Sequence, residues 1–225
     1  MSRAKMLKHV VILCHPEADS FNASVAETYC AVVRENGQEA IVRDLYRMDF
    51  DPVLKATEQP DSADYKMSND VAREIELISG AAVIVLVYPI WFGTPPAMLK
   101  GYVDRVLGAG ATHRAIRNQD CGALLSGVHL RSITSSGNTK IWLDEQGEWQ
   151  SLVHVFDYYL ERAFSMASSE HLHFSAVING LSERFILQNL QEVKDGARKM
   201  CSVLAQERHH QEIAKAIGHE PAAGS

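Results

Sequence analysis

The stretch AAVIVLVYPIWFGTPP, Ala81 to Pro96, decides the fold. Ala81–Tyr88 is apolar without a break and rich in β-branched side chains, the composition of a strand buried on both faces. A run of this kind belongs at the centre of a sheet. The character then changes at once, to an aromatic pair, Trp91-Phe92, a glycine and two prolines. Prolines 95 and 96 suit the first turn of a helix, where no backbone donor is lost. The stretch therefore reads as strand, loop and helix, the helix running from Pro95 to Leu107.

The same alternation extends both ways along the chain. His9–Cys14 (HVVILC) is a short buried strand, and Asn22–Asn36 follows with Val25, Tyr29, Val32 and Val33 at helical spacing and Gly37 as a stop. Glu39–Leu45 reads as a second strand, and Tyr46–Lys66, with Pro52 and Pro60, mostly as loop. Ser68 reads as the N-cap of a helix to Ser79. Beyond the central stretch come a strand at His129–Ser135, a helix at Gln150–Phe164, a strand at His171–Ile178 and a long helix at Ser182–Arg208. Thr139–Trp149, with Gly147 at a turn, reads either as a strand–turn–strand flap or as a plain insertion. Strands alternating with helices predict an α/β fold. Five of them fit the flavodoxin-like, doubly wound parallel sheet of order 2-1-3-4-5 with helices on both faces. Residues 1–208 form that domain in this reading, and 209–225 a loose tail or a partner-contacting arm.

Composition narrows the function. The 225 residues are 46% hydrophobic and 22% charged, an ordinary globular balance. A formal net charge of -6 argues against nucleic acid as a partner, because neutralising phosphates needs a basic surface. No apolar run approaches the ~20 residues that span a bilayer, and Met1–Lys8 is too short and polar for a signal peptide. Cys14, Cys30, Cys121 and Cys201 are scattered, with no CxxC pair, and read as free thiols in a reducing compartment. A cytoplasmic protein is expected. The methionines Met48, Met67, Met98 and Met166 read as packing residues. His171 and His173, two apart on a strand, share a face, which could suggest a metal, but no carboxylate or cysteine is read as completing a site, and none is expected.

In a doubly wound sheet the ligand lies beyond the carboxyl ends of the strands, so the loops after strands one, three and four build the site. The first is His15-Pro16-Glu17-Ala18-Asp19-Ser20-Phe21-Asn22. Ser20 and Asn22 bring polar side chains to a helix N-terminus, whose unpaired N–H groups and dipole favour a phosphate; the same residues also suit simple capping. GxxxxGK[ST] and GxGxxG are both absent. The second loop, Tyr88 to Pro96, offers a flat apolar wall suited to a planar heteroaromatic ring, although one of Trp91 and Phe92 is expected to pack under the next helix. In the third, Thr134-Ser135-Ser136-Gly137-Asn138, small residues let backbone N–H groups approach a ligand and stabilise negative charge.

Taken together, HPxxxSFN in the first loop, Asp44-Leu45-Tyr46, and WFGxPPxxLKGxxDRV from Trp91 to Val106 resemble the NAD(P)H:quinone oxidoreductases. That family is related to the bacterial modulator-of-drug-activity proteins and to ancillary subunits of potassium-efflux systems. The resemblance covers roughly His9 to Cys201. It implies a flavin, FAD or FMN, with NAD(P)H as electron donor and a quinone as acceptor, served in turn by a ping-pong mechanism in a homodimer. It places His15, Ser20, Phe21 and Asn22 at the flavin phosphates. Pro89, Ile90, Trp91 and Phe92 then lie along the isoalloxazine, and Thr134, Ser135, Ser136 and Gly137 at its pyrimidine side. Arg184 falls where FAD-binding members hold the adenine. Lys100, Asp104 and Arg105 match too, and are expected at a surface or dimer contact.

The chain departs from the family twice. Trp142 stands where better-known members have a tyrosine, and the acidic run Asp144–Glu148 supplies no histidine after it. Where FAY is common, the chain reads Ala111-Thr112-His113, which makes His113 a candidate for the acceptor pocket. Trp91, Phe92, Trp142 and His113 are thus the candidate catalytic positions. Azo and nitro compounds are alternative acceptors, and a transporter's regulatory subunit is an alternative function. A one-electron flavodoxin-type carrier fits less well, since the His15-Pro16 loop and the moderate charge differ from such carriers.

Overall fold

A computed structural model describes residues 6–118, 124–178 and 180–217. Five parallel strands, β1 (Lys8–Leu13), β2 (Glu39–Asp44), β3 (Val83–Pro89), β4 (His129–Ser135) and β5 (Ser168–Phe174), form one sheet in the order β2-β1-β3-β4-β5. The register aligns Val11 with Val85, Val85 with Arg131 and Arg131 with Glu170. β3 is buried at every position, as its composition requires. Alternation splits it between two cores. Ile84, Leu86 and Tyr88 pack with α2 (Asn69–Ile78), α3 (Ala97–Tyr102) and the helical stretch after α5 (Lys140–Glu145). Val83, Val85 and Val87 pack with α1 (Phe21–Glu35) and the last helix. The four methionines named above pack in or against the first of these cores. Cys14, Cys30 and Cys201 are buried and unbridged; Cys121 lies outside the described residues.

Element ends differ from expectation for identifiable reasons. α3 begins at Ala97 with Pro96 as its N-cap; Pro95, which precedes a proline, is disfavoured from helical geometry. Its last turn widens into a π-helical segment, Val103–Leu107. Residues 139–149 form helices rather than a strand–turn–strand flap. Thr139 caps α5, its side chain accepting from the Trp142 N–H, and Gly147 takes φ 68° to join α5 to α6 (Glu148–Leu152). The glycine is a helix terminator here, not a hairpin turn. A π-helical turn, Val153–Asp157, then leads into α7 (Tyr158–Ala163). β5 begins three residues early and ends at Phe174, because Ala176 takes φ 56° and turns the chain out of the sheet. A short helix, α4, spans His113–Arg117. α8 runs from Glu183 to Ala216, past the expected end at Arg208; residues 209–217 hold no glycine or proline to stop it.

The LKGxxDR motif is structural, and Arg105 is not at the surface as expected. Its guanidinium is buried and bonds both Glu58 oxygens, at 2.8 and 2.7 Å, as well as Asp70 and the Asp51 carbonyl. Gly101 completes the fit: a Cβ there would meet the Pro52 carbonyl oxygen at 2.3 Å. The two residues pin the 50–70 connection onto α3. Only Lys100 and Asp104 lie outside, as an exposed i,i+4 pair.

Hydrogen bonding from Arg105 holds the Glu58 carboxyl at about 2, below its ordinary 4.5. A lowered folded-state value contributes stability above the unfolded value and loses it as pH falls toward the folded one. Stability is therefore expected to drop between pH ~4.5 and ~2. Glu58→Gln, which leaves Arg105 without its carboxylate, should cost roughly 3 kcal/mol at neutral pH. It should also flatten that acid limb; urea melts across this range read both effects.

Candidate functional site

The carboxyl ends of β1, β3 and β4 open onto a cavity of about 460 Å³. It is lined by the first loop (His15, Glu17, Asp19, Ser20, Phe21, Asn22), by Pro89, Ile90 and Trp91 after β3, and by Ser135, Ser136 and Gly137 after β4. Three hydrogen bonds set the spacing of these loops. Ile90 N–H donates to the Ser135 carbonyl at 2.7 Å, Ser135 Oγ donates to Asn22 Oδ1 at 2.6 Å, and Ser136 N–H donates to the Phe174 carbonyl at 3.0 Å.

The start of α1 is the most polar part of the cavity. Ser20 is the N-cap, its Oγ accepting from Ala23 N–H at 3.2 Å. The next N–H groups, of Phe21 and Asn22, have no intrahelical carbonyl to bond. Asn22 is buried and spends its oxygen on Ser135, while its Nδ2 has no partner among the described residues. A buried amide donor without a partner costs about 1–3 kcal/mol. On a cavity wall at a helix N-terminus, that donor is what an anionic ligand would satisfy. Glu17 and Asp19 are exposed at the rim, where solvent screens them. Phe21 packs edge-on against Phe174, ring centres 5.4 Å apart, which seats the helix start.

The aromatic pair departs from expectation. Neither ring packs under α3. Trp91 and Thr94 bond each other through both backbone pairs, and Phe92 (φ 51°) and Gly93 (φ 75°) form the left-handed turn between them. Trp91 is 40% exposed with its ring 6.0 Å from that of His15, and Phe92 is fully exposed. A left-handed phenylalanine is uncommon backbone geometry and carries strain. Here it aims an aromatic ring into solvent. Trp91 and Phe92 also border a second recess of about 430 Å³, with Ile90, Gly93, Ser136, Gly137, Asn138, Trp142 and Glu148. Trp142 thus joins the other aromatic candidates.

Two candidates lie elsewhere. The Thr134 side chain is buried and turned from the cavity, bonded to His171 and His173. Arg184 is exposed on α8, beside Leu187, Gln188 and Gln191. His113 is the first residue of α4, and its side chain lies outside the described residues. The sequence reading missed a fourth wall, Val177, Ile178, Gly180, Leu181 and Ile186. Its apolar Val177-Ile178 pair had been absorbed into an overlong β5. Among the described residues no group of three or more His, Cys, Asp or Glu is placed to hold a metal ion, and no helix is long and apolar enough to cross a membrane.

The chain belongs to the flavodoxin-like fold family, whose pattern matches residues 7–199. Its relatives are named as oxidoreductases. An uncharacterized NAD(P)H oxidoreductase of Haemophilus influenzae is 29% identical over 203 residues, covering 90% of this chain and 94% of that protein. NAD(P)H dehydrogenase [quinone] 1 of Cavia porcellus is 28% identical over 62% of this chain, a match that spans 57% of that enzyme. Among solved structures, the NAD(P)H:quinone oxidoreductase of Methanothermobacter marburgensis has a TM-score of 0.70 at 25% identity, covering 88% and 96% of the two chains. An FMN-dependent NADH-azoreductase of Bacillus anthracis, solved with FMN, shares the fold at 18% identity with a TM-score of 0.64, covering 87% and 100%. The resemblance carried by the three loops therefore holds along the chain, and it is to enzymes of the NAD(P)H oxidoreductase and quinone reductase class.

Proposed function

We propose that this chain is a flavin-dependent NAD(P)H oxidoreductase that delivers two electrons to a quinone or a related acceptor. The observation that carries the reading is the buried, unpaired Asn22 amide donor at the start of a 15-residue helix, in one cavity with the Trp91 wall. Phosphate chemistry and a flat apolar surface are the two ends of a flavin mononucleotide unit. Asn22, the Phe21 and Asn22 N–H groups and Ser20 would hold the phosphate end, and Pro89, Ile90 and Trp91 the ring. Bound there, a flavin supplies the ability to accept a hydride and pass on its electron pair.

The protein's part is placement. Ser136 and Gly137 border both openings, so they floor the ring site and face the outer recess. The recess is open and walled by Trp91, Phe92 and Trp142. Such a site suits two planar reactants taken one after the other, which gives ping-pong kinetics. FMN and FAD share the chemistry that fits; Arg184, the residue expected at an adenine, is outside the cavity. Phe92, Ile141, Trp142, Val155, Tyr158 and Tyr159 expose apolar or aromatic surface around and beyond the recess. Large exposed apolar surface supports a second copy completing the site. The buried free thiols support a cytoplasmic setting.

A visible spectrum of the purified protein, with FMN or FAD added if it is colourless, is the first test. A bound flavin that bleaches on anaerobic NADPH and recovers on menadione supports the reading; failure to take up either flavin sinks it in favour of a regulatory role. Asn22→Asp sets a carboxylate against the phosphate and should weaken flavin retention about tenfold or more, roughly 1.4 kcal/mol. Flavin content after gel filtration reads this. Light scattering should give twice the 25.0 kDa chain mass, and Val155→Glu should shift that toward one.

A further inference from the structure

Behind Ser136 runs a chain of hydrogen bonds that the proposed chemistry has not used. It begins at Asp157, fully buried on the π-helical turn before α7. One Asp157 oxygen accepts from Ser132 Oγ at 2.6 Å and the other meets His171 Nδ1 at 2.5 Å. His171 Nε2 lies 2.8 Å from Thr134 Oγ1, which lies 2.8 Å from His173 Nδ1. His173 Nε2 lies 3.1 Å from Ser136 Oγ, the residue bordering both openings. Trp149 lies against both imidazoles, ring centres at 4.6 and 5.1 Å.

We propose that Asp157, His171, Thr134, His173 and Ser136 form a proton relay whose store is the Asp157–His171 pair and whose outlet is Ser136. The proposal rests on the oxidoreductase reading, because reduction of a quinone by NAD(P)H takes up one proton along with the hydride.

Every link can carry a hydrogen bond in either sense, since each hydroxyl both donates and accepts and each imidazole has two nitrogens. In the charged arrangement His171 holds protons on both nitrogens. Nδ1–H donates to Asp157 and Nε2–H to Thr134; Thr134 donates to His173 Nδ1, and His173 Nε2–H donates to Ser136. The Ser136 hydroxyl hydrogen is then available to the site or to the Asn138 carbonyl 3.3 Å away. Transfer moves four protons one place. Ser136 gives its hydrogen to an acceptor oxyanion, His173 Nε2–H passes to Ser136, Thr134 passes its hydrogen to His173 Nδ1, and His171 Nε2–H passes to Thr134. His171 ends neutral with its proton on Nδ1, still donating to Asp157, and every hydrogen bond now points toward Asp157. Solvent restores the proton between turnovers.

Other titratable groups face the run. Tyr88 on β3 stands beside Asp157 and Ser132, and burial raises its hydroxyl well above the ordinary range, so it stays neutral. Glu148 stands with Ser136 at the outer recess. Neither interrupts the links.

Thr134 is the link to cut, because valine keeps its shape and removes its hydroxyl, while serine keeps the hydroxyl. In flavin-loaded protein, Thr134→Val is expected to lower kcat with a quinone at least ~10-fold, with its KM unchanged. Thr134→Ser should restore kcat. In protein without flavin, ¹⁵N NMR should show both imidazoles of the neutral run protonated at Nδ1, with Thr134→Val releasing His173 from that tautomer. Valine that leaves the tautomers or kcat as in wild type overturns the relay alone, as does serine that behaves like valine. Wild-type protein that takes up no flavin defeats the oxidoreductase reading, and the relay's use with it.

Discussion

The site depends on the hydrogen bond from Ser135 to Asn22, 2.6 Å long and joining residues 113 apart in sequence. Parallel strands in the order β2-β1-β3-β4-β5 bring the ends of β1, β3 and β4 side by side. They do not by themselves fix how far the loops beyond them stand apart. Ser135 does, because its carbonyl accepts from the Ile90 N–H while its hydroxyl donates to the Asn22 oxygen. That second bond also turns the Asn22 amide so that its nitrogen is left over. A buried donor without a partner costs stability, so the bond that spaces the loops is made at some cost to the fold.

Much of this was legible in the sequence because it depends on local composition. A wholly apolar strand such as Ala81–Tyr88 has few other places to go than a sheet centre, and β4 came out at its expected bounds. Ser20, Ser68 and Ser182 stand at helix starts, Ser20 and Ser182 with side chains that accept from the Ala23 and Phe185 N–H groups and Ser68 without such a bond. The loops after β1, β3 and β4 could be named as the site because strand order alone dictates it.

What was not legible depends on partners distant in sequence. Arg105 reads as an exposed helix residue until Glu58 and Asp70 are seen closing on it. Thr134 shares the small, polar character of Ser135 and Ser136, and only the pleat of β4 shows that it points the other way, toward β5. The fourth wall escaped notice because Val177 and Ile178 look like strand, and the left-handed Ala176 that turns them toward the cavity has no signature in its residue type. Residues 139–149 were ambiguous for a related reason: one glycine ends a helix as readily as it turns a hairpin.

The two openings also divide the labour of change. The end of the cavity at the start of α1 is built from buried groups bonded to one another across loops, so a substitution at Asn22 or Ser135 disturbs several contacts. The outer recess is bounded by Phe92, Trp142 and Glu148, exposed or half-exposed side chains on a tight turn and two short helices. Those positions are open to drift at little cost to folding. A lineage built on this scaffold can therefore reshape the mouth of the cavity while the bonded floor behind it stays inherited.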